Sequence, residues 1–323
     1  MSKGVSKLHR YIIRRLLFSV PSLLIVSLLV FSIVRILPGD VVMQLIAEAG
    51  DVSPERLSEV RRELGLDEPF FYQYITWLGN VLKFDFGTSL WTGNPVRDEI
   101  GRRMPVSMQV SLLATFFGAL IAIPIGVMSA IRQDKPIDYI GRLISIGGLS
   151  VPDFWLATIV IVLPAMWWRV TPPLGYAHFI DDPIKNLQQT WLPATVLGLR
   201  LSASVMRITR SQMLEVLRQD YIRTAWSKGL AERSVIYRHA MKNALIPVVT
   251  VLGTQVSRLM GGTLIIEVMF SLPGVGRFLY EAINHRDYPS IQAGVMFLAT
   301  VMVIMNLIVD LMYGWFDPRI RYN

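Results

Sequence analysis

Residues 220–247 read DYIRTAWSKGLAERSVIYRHAMKNALIP, a basic stretch that lies between two apolar runs. It carries five Lys and Arg residues against two acids, and its only glycine is Gly229. Loops rich in Lys and Arg between membrane spans are retained in the cytosol. The stretch therefore predicts a folded cytosolic loop of a membrane protein, and contact with another protein is the simplest reason for such a loop to be folded.

The composition of the whole chain supports a membrane protein. Of its 323 residues, 52% are hydrophobic and 17% are charged, whereas a soluble domain carries charge on about a quarter of its residues. The apolar residues also occur in blocks rather than in amphipathic stripes. The chain contains no cysteine, which excludes disulfides and thiolate metal sites, and its four histidines show no metal-ligand spacing.

Six apolar segments predict an all-α membrane protein with six transmembrane helices. The segments comprise residues 16–34, 104–131, 143–168, 191–206, 244–266 and 290–316. The first is too long for the apolar region of a signal peptide and no cleavage site follows it, which favours a retained helix. The fourth is short, and we expect Pro193, Gly198 and Arg200 to interrupt it.

The Lys and Arg residues assign the connecting loops to the two sides of the membrane. The predicted cytosolic segments (1–15, 132–142, 206–242 and the C-terminal tail) hold eighteen of these residues, and the two short outer loops hold four. This asymmetry places both termini in the cytosol. Because topology accounts for the net charge of +8, the charge gives no reason to expect binding of nucleic acid.

The predicted organisation has three parts. They are a cytosolic tail (1–15), a transmembrane domain (16–316) and a second cytosolic tail (317–323), with a first outer loop at 38–103 and a cytosolic loop at 207–243. In the outer loop, Ser53 and Pro54 predict the start of a helix and Gly65 predicts its end. Residues 69–84 are aromatic and amphipathic, and they predict a helix at the outer membrane–water boundary.

Sequence motifs of catalytic sites are missing from this chain. It contains no GxxxxGK[ST] phosphate loop, no HExxH and no GxSxG. The serines and acids within the spans also have no histidine at a suitable helical offset, as a membrane-embedded protease or transferase would require. The sequence therefore indicates a protein that is not an enzyme.

Three ionisable residues fall within the predicted spans, namely Asp153, Arg200 and Arg258. A charge in the bilayer is costly, so each should face a water-filled cavity or an opposite charge. One interpretation is a translocation pathway for a polar solute, to which Gln255 would also belong; the other is a structural ion pair of Asp153 with either arginine. An ion-coupled secondary transporter remains an alternative, although it usually shows more buried acids and two similar halves.

The pattern of residues 220–247 predicts two short helices that meet at an angle. Tyr221, Thr224, Ala225 and Lys228 share one helical face by three- and four-residue spacing. Gly229 suits the left-handed conformation that ends a helix, and the helical pattern resumes over 231–243. Such an element could lie on anionic lipid or serve as the docking site of a cytosolic subunit.

The chain also contains motifs spread over its whole length. They are LPGD (37–40), LGLDEP (64–69), FGTS (86–89), PDFWLA (152–157), PGVGR (273–277), RDYP (286–289) and DPRIRY (317–322). Together with DYIRTAWSKG and RHAMKNALIP, they resemble the first permease subunit of the oligopeptide, dipeptide and nickel ABC importers. Two positions depart from that pattern: Val41 stands where proline is frequent, and Trp226 stands where a basic residue is frequent.

The resemblance implies a fold and a set of partners. The fold would be that of a type I ABC importer permease in the cytoplasmic membrane, paired with a second permease subunit, two ATPase subunits and an extracytoplasmic solute-binding protein. ATP and Mg would belong to the ATPase subunits, with no cofactor and no metal in this chain. The cargo implied is a peptide, with a nickel chelate, an opine or an oligosaccharide as alternatives. The ATPase-coupling residues implied are Tyr221, Arg223, Thr224, Ala225, Lys228 and Gly229.

Overall fold

The structure is a computed structural model that describes residues 17–33, 58, 62, 67–173 and 175–316, with side chains up to residue 311. The regular secondary structure of this part is entirely helical; connecting segments are irregular, and one isolated bridge joins Thr88 and Pro95. The helices are α1 (Leu17–Ile33), α2 (Phe70–Leu82), α3 (Val96–Ile131), α4 (Pro136–Ser150), α5 (Asp153–Trp168), α6 (Pro183–Leu217), α7 (Asp220–Ser227), α8 (Glu232–Gly262), α9 (Leu264–Met269), α10 (Val275–Asn284) and α11 (Tyr288–Phe316). The helix boundaries predicted at Ser53, Pro54 and Gly65 and both predicted tails lie outside the described residues.

Every predicted transmembrane segment is largely helical in the described residues, but the helices differ in length and hydropathy. Among these residues, α3, α8 and α11 are long and apolar enough to cross a membrane. The bent pair of α4 and α5 makes a fourth if it forms one span, and α1 is a shorter apolar helix. The all-helical membrane architecture is confirmed in this part, and the count of six spans stays a prediction.

The third span, predicted over residues 143–168, is divided between two helices instead of one. Helix α4 already begins at Pro136, inside the predicted loop, and the axes of α4 and α5 differ in direction by 96°. Pro152 causes the break, because proline has no amide hydrogen and moves the preceding residue out of the α region. Val151 is accordingly extended, with φ −90° and ψ 122°.

The expected interruption of the fourth span is wrong, because α6 runs unbroken from Pro183 to Leu217. Gly198 instead allows a close crossing of α3 and α6. A β-carbon added there would lie 2.8 Å from the carbonyl oxygen of Ala114. The fifth span ends earlier than residue 266, since α8 ends at Gly262 and a separate helix, α9, follows Thr263.

The described helices belong to two compact units. The first comprises residues 1–106 and 273–303, and the second comprises residues 107–272 and 304–323. In the first unit the predicted helix at 69–84 is confirmed as α2, and its rings surround Phe31 of α1. Phe70, Tyr74 and Trp77 lie 5.3–5.4 Å from the Phe31 ring, measured between centroids.

The second unit contains the cytosolic loop predicted at residues 207–243. The apolar core of this unit includes side chains of α3, α6 and α8 and extends to α7. The buried members there are Val127, Ala130, Met213, Ile222, Ala225, Val235, Ile236, Ala240 and Ala244. This cluster fixes the helix that carries the predicted coupling residues.

Candidate functional site

Helix α7 is amphipathic, and its buried side faces the core of the second unit. Ile222 is fully buried and Ala225 is 6% exposed. Both belong to the cluster that includes Val127 of α3 and Met213 of α6. Because these contacts are apolar and closely packed, α7 is fixed on the ends of two long helices rather than on a mobile loop.

The opposite side of α7 is open and combines charge with aromatic surface. Tyr221 and Trp226 are 44% and 45% exposed. The Arg223 guanidinium is 3.6 Å from the Asp220 carboxylate, and both side chains are largely in solvent. An ion pair so exposed contributes little to stability. This surface is therefore available for contact with another macromolecule.

Gly229 has the left-handed conformation predicted for it, with φ +72°. The Leu230 amide donates to the Ala225 carbonyl at 3.4 Å, and the Gly229 amide donates to the Trp226 carbonyl at 2.9 Å. This pair of bonds is the Schellman motif, which ends a helix at a left-handed residue. Helix α8 starts at Glu232, so three residues after the turn the chain enters a helix long enough to span the membrane.

After its first three residues, helix α8 contains a π-helical turn at Val235–Ala240. Asn243, three residues after this turn, donates a hydrogen bond to the Tyr221 hydroxyl at 2.8 Å. Helices α7 and α8 are thus joined by the Gly229 turn, by the buried cluster and by this side-chain bond. Wider helical turns of this kind are frequent at functional sites.

The structure divides the residues predicted to contact an ATPase. Tyr221, Arg223, Thr224 and Lys228 are exposed. The predicted common face is wrong for Ala225, because this residue lies three positions after Ile222 on the buried side. The spacing in the sequence was compatible with either face, and only the packing of α7 distinguishes them.

Two of the predicted pathway residues lie together. The Arg200 Nη1 atom is 2.6 Å from the Asp153 Oδ2 atom, with the two side chains 57% and 21% exposed. Arg258 is exposed on α8 and forms no ion pair within the part of the chain that the structure describes, and Gln255 is half-buried. The ion pair predicted as one alternative is therefore formed with Arg200, and not with Arg258.

Buried carboxylates are the polar residues that the sequence did not reveal. Asp138 and Glu267 are fully buried, and Asp287 is 3% exposed. Glu267 accepts hydrogen bonds from the Ser107 and Thr263 hydroxyls at 2.6 and 2.7 Å. Some of their partners are up to 198 residues away in sequence, and local spacing carries no signal for those distant contacts.

Two groups in the segments predicted to be outer loops have shifted pKa values. Burial raises the pKa of Tyr176 more than its hydrogen bond with Asn186 lowers it. Burial also raises the pKa of Glu281, but hydrogen bonds from Arg103 and Arg277 outweigh it, so that this pKa lies below its ordinary value. Among the described residues, no group of three His, Asp or Glu side chains could hold a metal ion.

Comparison with known families gives two matches that cover most of the chain. Residues 122–322 match the model described as binding-protein-dependent transport system inner membrane component. Residues 8–112 match the model of the N-terminal part of such membrane components. The two ranges leave only a short interval between them.

Curated relatives align over nearly their full length. The dipeptide transport system permease proteins DppB of Alkalihalophilus pseudofirmus and Escherichia coli K12 are 39% and 38% identical to this chain, with 97% of the chain and 99% of each relative covered. A putative peptide transport system permease protein of Brucella abortus is 42% identical over 313 residues, with the same coverage.

Solved structures share the fold at low identity. The inward-facing MetNI methionine ABC transporter has a TM-score of 0.53 at 14% identity, covering 68% of this chain and 96% of that one. An amino acid ABC transporter has a TM-score of 0.51 at 16% identity, covering 69% and 94%. At these identities the likeness concerns the fold alone.

Proposed function

The chain belongs to the family of binding-protein-dependent transport system inner membrane components, and we propose that it forms half of the transmembrane pore of an ATP-driven peptide importer. The chain itself is not an enzyme, because members of this family are membrane permeases and ATP hydrolysis belongs to a separate subunit. The chain resides in a membrane, as its apolar helices require.

A peptide is the cargo that the relatives favour. The aligned proteins from A. pseudofirmus and E. coli are named as dipeptide permeases, and the B. abortus protein as a putative peptide permease. A nickel chelate, an opine and an oligosaccharide are the alternatives that share this architecture. The importer comprises this chain, a second permease, two ATPases that bind ATP and Mg, and an extracytoplasmic binding protein.

The structure of α7 is the observation that carries the proposal. A buried apolar side fixes α7 to the ends of α3 and α6, and an exposed basic and aromatic side remains for an ATPase. The Gly229 turn joins α7 to α8, which is long enough to span the membrane. A displacement of α7 by the closing ATPases would therefore pass to the spans, which is coupling through a two-state element. Tyr221, Arg223, Thr224 and Lys228 make the contact, whereas Ala225 and Gly229 set its position.

The charged residues within the spans have two roles in this proposal. The bond between Asp153 and Arg200 holds α5 against α6. Arg258 is exposed and without an ion pair in the described chain, and with Gln255 it lines the pathway of the solute. A cation in such a position requires a hydrated surrounding or an anionic group of the cargo.

Purification of the tagged chain from its native membrane in mild detergent tests the assembly, and transport by the same complex in vesicles tests the cargo. We expect a second permease and P-loop ATPases in the purified sample, and ATP-dependent uptake of a labelled dipeptide when the binding protein is added. An excess of unlabelled dipeptide should abolish uptake, whereas an oligosaccharide or a nickel–histidine chelate should not. Transport by the chain alone would contradict the proposal.

A further inference from the structure

A cavity of about 600 Å³ lies between the C-terminal end of α3, the loop that follows it, α4 and α6. All of its lining residues belong to the second compact unit. Its polar lining residues include Ser129, Asp134, Arg142, Arg207, Arg210 and Ser211. These residues lie in or beside the segments that the charge distribution assigns to the cytosol. Neither the coupling surface nor the solute pathway uses this cavity.

Asp138 is fully buried behind the cavity and orients two of its arginines. The Arg210 Nε and Nη2 atoms donate to the two carboxylate oxygens of Asp138 at 2.7 and 2.8 Å. Arg142 donates to Asp138 and, at 2.8 Å, to Asp134. Ser129 donates to the same carboxylate. The guanidinium groups are therefore fixed in place by bonds that use only some of their five donors.

Positive charge remains after these bonds are counted. Three arginines line the cavity, and Asp134 and Asp138 are the acids in contact with them. Arg207 is exposed and has no ion pair in the ranges that the structure describes. The buried Nε atom of Arg142 also has no hydrogen-bond acceptor there. A buried donor of a cation without an acceptor costs free energy, so a ligand with acceptor oxygens would stabilise this arrangement.

The wall beside the cations is apolar. Ile146 lines the cavity and is 63% exposed, and Leu143 on the same helix is 69% exposed. The combination of oriented arginines with an exposed aliphatic surface suits an amphiphile whose anionic group is compact. Guanidinium forks match the oxygens of a phosphate, and basic pockets between helices on the cytosolic side accept phosphate headgroups.

We propose that this cavity binds a phosphate group from the cytosolic side, with Arg207 as its principal cation and Arg142 and Arg210 as supporting donors. The source of the phosphate is either the headgroup of an anionic lipid or a soluble phosphate. The proposal rests on the cytosolic position of α7 in the proposed function. Binding of phosphate would also affect α7, because two members of the buried cluster that holds α7 are close to the cavity in the chain. Ala130 follows Ser129, and Met213 is three residues after Arg210.

The purified complex in phosphatidylcholine nanodiscs that contain phosphatidylglycerol allows the test. Native mass spectrometry counts the phosphatidylglycerol molecules that remain bound, and thermal unfolding with inorganic phosphate reports the soluble source. We expect Arg207→Gln to lower about fivefold either the number of bound phosphatidylglycerol molecules or the thermal shift caused by inorganic phosphate. This is the effect of removing one cation that contacts phosphate at a membrane surface. Arg207→Lys should keep most of the response. Arg132→Gln is the matched control, because Arg132 is exposed nearby without lining the cavity.

The two sources give different results. Loss of bound phosphatidylglycerol in Arg207→Gln, with no effect of inorganic phosphate, identifies a lipid headgroup; loss of the shift caused by inorganic phosphate identifies a soluble ligand. Equal responses of Arg207→Gln and Arg132→Gln in both measurements would overturn the proposal. ATP-dependent dipeptide uptake by the same sample separates this outcome from failure of the proposed function, because uptake would persist.

Discussion

Gly229 matters for its backbone conformation rather than for space. Its φ is +72°, and a β-carbon added there would meet no atom within 4 Å. A β-branched residue is strained in this region, by about 1–2 kcal/mol, while asparagine tolerates it. The requirement for glycine at this turn was predictable from the sequence, because no other common residue ends a helix in this way so readily.

We expect Gly229→Val to reduce dipeptide uptake for each ATP hydrolysed while the amount of protein in the membrane stays normal. The strain would change the angle between α7 and α8 without disturbing the core. Gly229→Asn is the control, and it should retain most of the coupling. The measurement is the ratio of uptake to ATP hydrolysis in reconstituted vesicles, and an unchanged ratio in Gly229→Val would contradict the role of this turn.

Ala225 and Thr224 are neighbours with opposite environments, one buried and one exposed. We expect Ala225→Glu to destabilise the chain by several kcal/mol, because it buries a carboxylate in an apolar cluster. Thr224→Glu should leave thermal stability unchanged and lower only the recovery of ATPase subunits during purification. Equal melting temperatures of the two variants would show that α7 is not fixed as described.

Variants of Asp153 and Arg200 test whether these two residues form a structural ion pair or contact the solute. We expect Arg200→Gln to lower the abundance of the protein, since Asp153 would remain in the membrane without its cation. The exchange of the two residues (Asp153→Arg with Arg200→Asp) should restore both abundance and uptake. Restored abundance with no uptake would instead assign these charges to the pathway.

At the scale of the helix, the sequence predicted which helices exist more accurately than where they begin and end. Helix α2 and the α7 turn followed from proline, glycine and aromatic signals, which act locally. The break at Pro152 was hidden within a continuous apolar run, where hydropathy dominated the interpretation. The burial of Ala225 and the contact between Asp138 and Arg210, 72 residues apart, depend on tertiary packing and have no local signal.

The crossing of α3 and α6 gives a prediction for two glycines. A β-carbon at Gly198 would lie 2.8 Å from the Ala114 carbonyl, whereas one at Gly147 in α4 would meet no atom within 4 Å. We expect Gly198→Ala to destabilise the protein by about 1–3 kcal/mol through overpacking. Gly147→Ala should be neutral or stabilising, because alanine favours helix. Thermal unfolding in detergent measures both, and a stable Gly198→Ala variant would contradict the close crossing.

At the scale of the molecule, the absence of cysteine makes the topology directly testable. We expect Lys135→Cys to react with a membrane-impermeant maleimide only when the cytosolic face is accessible. Ile180, which is 93% exposed, should react as Ile180→Cys only from the outer face. Labelling of both positions from the same side would refute the predicted arrangement of loops around α4 and α5.

Helix α8 contains 31 residues, which correspond to a rod of about 46 Å at 1.5 Å per residue. In the proposed importer, a tilt of about 10° at the α7 end of such a rod moves its other end by about 8 Å, by the geometry of its length. That distance approaches the width of an extended peptide. In that proposal, a small rotation of α7 at the Gly229 turn would displace the far end of α8 by a distance comparable to the size of the cargo.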